Sequence, residues 1–142
     1  MSSKAITVVA GVIQNKGRLL LTRRFDGAHL GGAWEFPGGK VESEESLEEA
    51  LIREIQEELA IKIKVDTLIQ DEKFAYPDRE VHLHFFYCHI LKGRPRAIGV
   101  AEMAWILPSE LDQYCVPRAN EKLIDRLKKI NWKEVPKDAT IP

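Results

Sequence analysis

The run SLEEALIREIQEEL, residues 46–59, sets the strongest constraint on this chain: it reads as a helix that must be covered on one side. Leu47, Leu51, Ile55 and Leu59 recur at steps of four and form a single apolar stripe. Ser46 and Glu49 have capping-box spacing, in which the serine oxygen accepts the Glu49 amide hydrogen and the glutamate reaches back. The helical signal fades near Ala60-Ile61. The stripe needs an apolar surface, and the flanking runs supply strands to make one. AITVVAGVI (5–13) is β-branched and apolar, and after the turn signal NKG (15–17), RLLLTRR (18–24) reads as its hairpin partner. FDGAHLGGAWEFPGGK (25–40), with five glycines, reads as a loop. IKIKV (61–65) looks like strand entry, and TLIQDEKFAY (67–76) and EVHLHFFYCHI (80–90) read as strands joined by Pro77-Asp78-Arg79. AEMAWIL (101–107) is a further short strand, PSELDQY one helical turn, and 118–130 a second helix presenting Leu123, Ile124, Leu127 and Ile130. Strands interleaved with two helices predict an α/β fold, a mixed sheet held between helices. The whole chain, 1–142, reads as one domain with its core over about 5–130 and a polar tail at 131–142.

Composition narrows the function classes. A formal net charge of -1 gives no global basic field, so a nucleic-acid polymer is not an expected partner. No apolar run reaches the roughly 18 residues of a membrane span, and the N-terminus lacks a secretory layout. Cys88 and Cys115 have no framework spacing and read as reduced thiols of a cytoplasmic protein.

The stretch from Gly38 to Ile61 holds eight of the 22 acidic residues, all glutamates. With Glu54 set at zero, Glu58 lies at about +40° and Glu57 at about −60° on a helix, so three carboxylates share an arc of about 100°. They border the apolar stripe instead of opposing it. Like charges at this spacing destabilise a helix by about 0.2–0.5 kcal/mol per pair. One reading is a solvated acidic face. The other is a site for a hard divalent cation, which takes oxygen ligands from one or two carboxylates and completes its shell with water and substrate phosphates. Arg53 either pairs within the helix with Glu49 or Glu57, or orients a metal-binding carboxylate from behind. Gly38 and Gly39 let the backbone approach a ligand, and Lys40 adds a cation. This GGK is not a P-loop, because Trp34 and Val41 stand where that motif needs Gly and Ser or Thr.

Together, Gly39, Glu45, Arg53, Glu54, Ile55, Glu57, Glu58 and Ile61 resemble the Nudix box, GX5EX7REUXEEXGU with U aliphatic. The single departure is Ala60, which stands where the box has the glycine that ends the helix. The resemblance implies hydrolysis of a nucleoside diphosphate linked to another moiety, using Mg2+ or Mn2+. It implies Glu54, Glu57, Glu58 and Gly38 as metal ligands, with Arg53 and Glu45 in support. It also implies a Nudix-type α/β/α sandwich. LTRR (21–24), AHL and WEFPGGK (28–40), YPDR (76–79) and PRANEKLI (117–124) look like the MutT branch, which sanitises oxidised guanine nucleotides. On that likeness Asn120 is the base-reading candidate, its amide offering donor and acceptor side by side; it also suits the N-cap of the helix that follows. Arg24, His29, Phe36, Gly38, Gly39, Lys40, Tyr76 and Arg79 complete the implied nucleotide contacts, with core packing the other role open to Phe36 and turn decoration the other role open to Arg79. Relatives often carry a further carboxylate in the loop before the last strand. Aligned on Trp105, that position is Gly99, and Glu102 is the nearby substitute for a catalytic role.

The expected activity is a Mg2+-dependent nucleoside triphosphate pyrophosphohydrolase, with 8-oxo-dGTP or a related oxidised purine as substrate. The alternatives are CTP or a modified dCTP, another nucleoside diphosphate derivative, and a nucleotide-sensing domain without turnover. The array SQPWPFPxS, which marks an NADH-directed subclass, is absent after the box. The only expected partner is the nucleotide itself, with monomer and homodimer both open. His82 and His84 share one side of a strand, but with His89 out of phase and no third ligand nearby they do not read as a zinc site.

Overall fold

The computed structural model describes residues 4–27, 32–114, 121–130 and 132. Among the described residues seven strands build a mixed sheet: β1 (Lys4–Asn15), β2 (Arg18–Arg23), β3 (Trp34–Glu35), β4 (Gly38–Lys40), β5 (Lys62–Ala75), β6 (Arg79–Lys92) and β7 (Glu102–Ile106). The order is β3-β2-β1-β6-β5, with β4 also paired to β1 and β7 to β2. β1 and β6 run parallel, from Lys4 opposite Arg79 to Ile13 opposite Cys88, and the other pairs are antiparallel. A central strand buried on both faces must be apolar at consecutive positions, and this is why the run at 5–13 shows no alternation.

Period-two geometry divides the side chains between two cores. Val9, Ile13, Leu20, Phe86 and Cys88 face helix α1 (Leu47–Leu59), meeting Leu51, Ile55 and Leu59. Ala10, Val12, Leu19, Leu21, Phe85 and Tyr87 face the other way, against Leu123, Ile124 and Leu127 of helix α2 (Glu121–Lys128). The expected sheet between helices is therefore the observed architecture.

Two local readings need correction. The glycine-rich segment 25–40 is not loop throughout, since β3 pairs with β2 and β4 with β1. Local composition marks a loop here, but two short tertiary pairings prevail. IKIKV and TLIQDEKFA form one strand, β5, with irregularities in its pairing to β6 that let a long strand bend. The helical turn expected at PSELDQY is present as a 3-10 helix, Pro108–Gln113.

The α1 termini are satisfied as residue chemistry requires. Ser46 Oγ accepts the Glu49 amide hydrogen at 3.0 Å, and Glu49 Oε1 accepts that of Ser46 at 3.1 Å. At the other end the amides of Ile98 and Gly99 donate to the Glu58 carbonyl, and that of Arg96 to the Leu59 carbonyl. Ala60 closes the helix in the left-handed conformation, φ 58° and ψ 35°. A Cβ there is strained by about 1 kcal/mol, which explains the family preference for glycine. Ala60→Gly is expected to raise stability by about 1 kcal/mol and Tm by about 3 °C, read by thermal denaturation; an unchanged or lower Tm contradicts this.

Candidate active site

The site begins where β4 crosses α1. A Cβ on Gly39 would lie 2.4 Å from the Glu54 carboxyl carbon, so glycine here leaves room for that side chain. Arg53 fixes the helix to its approach loop. Its Nε and Nη2 donate to Glu45 at 2.7 and 2.9 Å, Nη2 also reaches the Lys40 carbonyl at 3.2 Å, and Nη1 donates to Glu54 at 3.0 Å. The guanidinium beside it and the Glu42 amide pull the Glu45 carboxyl down to about 2. Arg53 thus holds Glu45 and Glu54 together, and its intrahelical pairing with Glu57 is secondary at 3.5 Å.

Glu54 and Glu58 are one turn apart on α1, close enough for their carboxyls to influence each other. Burial raises Glu54, opposed by Arg53. Burial first, then the charges of Glu54 and Glu35, pushes Glu58 up to about 8, against a hydrogen bond from the Gly38 backbone amide. Glu57 stands apart, its side chain 60% exposed and leaning on Arg53. Among the described residues the three glutamates do not gather as a trio within 4.8 Å. Mutual repulsion accounts for this, and Glu57 finds the Arg53 guanidinium instead.

Glu35 was not a sequence candidate. β3 places it beside Glu58, and Arg24 grips both of its oxygens at 2.7 Å. Only the β2–β3 pairing discloses this, and no spacing in the chain signals it. Arg24 feels Glu58 as well, which puts the predicted nucleotide-contacting arginine at the carboxylate cluster.

The remaining candidates are more dispersed. Gly38 and Lys40 flank Gly39 on β4. Phe36 is buried in the α2-side core, edge-on to Phe85. Tyr76 and Arg79 close the β5–β6 turn by backbone hydrogen bonds, with the guanidinium 5.7 Å from the ring centroid. Glu102 heads β7 with its side chain 57% exposed and bonded to Arg23 at 3.1 Å. Gly99 packs on the α1 backbone at Glu58, leaving little room for the carboxylate that relatives place there. His29 and Asn120 lie outside the described residues.

The donor set fits a hard divalent cation. Glu54, Glu57 and Glu58 offer only oxygens, and a raised carboxyl beside two other acids is a position that a cation relieves.

The NUDIX domain family model matches residues 8–126. An 8-oxo-dGTP diphosphatase of Haemophilus influenzae is 38% identical over 128 residues, covering 89% of this chain and 94% of the relative. A CTP pyrophosphohydrolase of Escherichia coli is 35% identical over 122 residues, covering 86% and 90%. The crystal structure of a MutT protein from Methanosarcina mazei superposes with a TM-score of 0.80 at 25% identity, over 91% of this chain and 96% of that one. The family match runs from β1 into α2 and takes in the box on α1, and by it the chain belongs to the Nudix hydrolase family.

Proposed function

We propose that this hydrolase is a Mg2+-dependent nucleoside triphosphate pyrophosphohydrolase, with Mn2+ as the alternative metal. It converts the triphosphate and water to the monophosphate and pyrophosphate, and its preferred substrate is an oxidised purine nucleotide such as 8-oxo-dGTP. The observation that carries the reading is the crowding of Glu54 and Glu58 beside Glu35, braced by Arg53. That arrangement costs stability in the absence of a ligand and suits a cation with a polyphosphate. The 8-oxo-dGTP diphosphatase at 38% identity supports the substrate class.

Glu54, Glu57, Glu58 and the Gly38 backbone hold the metal. A divalent cation at such a site neutralises phosphate charge and lowers the pKa of bound water. Arg53 positions Glu54. Lys40 and Arg24 face the phosphates, and Tyr76, Arg79, His29 and Asn120 serve the nucleoside, while the buried Phe36 is left to core packing. The proton acceptor is assigned to the box itself, since Glu102 is engaged with Arg23 and Gly99 carries no side chain. The reaction is placed in the cytoplasm; among the described residues no helix is long and apolar enough to cross a membrane.

Pyrophosphate release across 8-oxo-dGTP, dGTP, CTP and 5-methyl-dCTP, compared as kcat/KM, tests the reading. The oxidised purine should lead; a lead for CTP would transfer the assignment to the pyrimidine class represented by the Escherichia coli relative. Release from none of them would overturn the enzyme reading. Asn120→Ala should lower kcat/KM for 8-oxo-dGTP by about 10–100-fold, the size of one or two lost hydrogen bonds, and leave CTP less affected. An equal loss for every nucleotide removes Asn120 as the base reader.

A further inference from the structure

The β5–β6 hairpin assembles a second group of metal-binding side chains. His82 and His84 lie two residues apart on β6, on the face shared with Phe86 and Cys88, and their ring centroids are 4.0 Å apart. Asp71 stands directly opposite His84 across the strand pair. The donor atoms of all three lie within 4.8 Å of one another. The sequence hides the third ligand, since Asp71 reaches the histidines only through the hairpin register. His89, by contrast, is committed to Asp66 at 2.8 Å.

A second observation points to a ligand. His84 Nδ1 is shut off from solvent and has no hydrogen-bond partner among the described residues. An unsatisfied buried polar atom costs about 1–3 kcal/mol and calls for an explanation such as an ion. Burial and the adjacent His82 ring also hold His84 below the ordinary imidazole range.

We propose that Asp71, His82 and His84 form a transition-metal site, selective for a zinc-class divalent cation and separate from the carboxylate site on α1. Two imidazoles and one carboxylate are borderline donors that suit Zn2+ or Co2+, whereas Mg2+ prefers an all-oxygen shell. Three protein ligands leave a fourth tetrahedral position open. Separation follows from register: Val9 pairs with Gly39 on one side and with His84 on the other. Two strand spacings, about 10 Å, therefore lie between the backbone of Gly39, beside Glu54, and the backbone of His84. A single ion at about 2 Å from its ligands cannot serve both groups. Lys73 lies opposite His82, which makes it the nearest cross-strand cation.

The test uses the full chain stripped with EDTA and titrated with Co2+, followed by visible absorption and equilibrium dialysis. One equivalent should bind with the visible bands of a nitrogen-ligated ion, resist excess Mg2+, yield to Zn2+, and persist in Glu57→Gln. Binding should weaken about tenfold or more in His84→Gln and in Asp71→Asn. Asp71 is exposed, so its variant gives a reading even if His84→Gln does not fold. Absence of Co2+ binding, bands that persist in a folded Asp71→Asn or His82→Gln protein, or bands lost to Mg2+ or in Glu57→Gln would overturn the proposal.

Discussion

Glu58→Gln is expected to lower kcat by about 10³-fold while making the metal-free protein more stable at neutral and mildly alkaline pH. The two effects share one cause. Folding partly buries the Glu58 carboxyl beside Glu54 and Glu35 and raises it from an ordinary 4.5 to about 8. Between those values the folded chain binds the proton and the unfolded chain does not. The group's contribution to stability is therefore complete below about pH 4.5 and is lost as pH rises through about 8. Metal-free wild type should lose on the order of a few kcal/mol across that window, allowing for solvent screening of a group only partly buried. Glutamine keeps the shape and hydrogen bonding but has no charge to bury, so its Tm should fall less than that of wild type over the same range. Thermal melts in EDTA from pH 5 to pH 8.5, paired with pyrophosphate release in Mg2+, measure both effects. Parallel Tm profiles for the two proteins, or more than a tenth of wild-type turnover in the variant, would refute this account of Glu58. On the proposed function, stability is surrendered here for a site that a cation and a polyphosphate complete.

Gly38→Ala should produce the largest loss of stability. A Cβ at this position would fall 2.0 Å from the Val9 carbonyl oxygen and 2.7 Å from the Ala10 Cα. These are backbone atoms of the central strand, fixed by pairing with β4 on one side and β6 on the other, and they have no rotamer by which to move aside. The β1–β4 pairing must open, and the amide that supports Glu58 moves with it. Overpacking against backbone costs about 3 kcal/mol, or about 10 °C in Tm. Gly39→Ala differs in kind. Its added methyl meets the Glu54 side chain, which can rotate away, so activity should suffer more than stability. Melting curves for the two variants decide the matter: a Gly38→Ala protein within about 1 kcal/mol of wild type would mean that β4 can separate from β1 at little cost.

Helix α1 was legible because its information is local. Ser46 and Glu49 meet within one turn, and the Leu47–Leu59 stripe follows from a fixed period, so the cap and the docked face were readable before any partner was known. The box glutamates belong to the same class, since their arc is fixed by helix geometry alone. β4 was not legible. Five glycines between 25 and 40 imply a loop, and only the close approach of β1 turns Gly38–Lys40 into a strand.

The sequence by itself thus determined the layered α/β class, the capped and striped helix, and the three glutamates on one arc, all consequences of short-range periodicity. Tertiary structure alone decided which charges meet. It set Glu35 and Arg24 beside Glu58, engaged Glu102 with Arg23, and brought Asp71 to His82 and His84. Each of those encounters depends on strand register, in which residues far apart in the chain become neighbours and a shift of one residue turns a side chain to the opposite face.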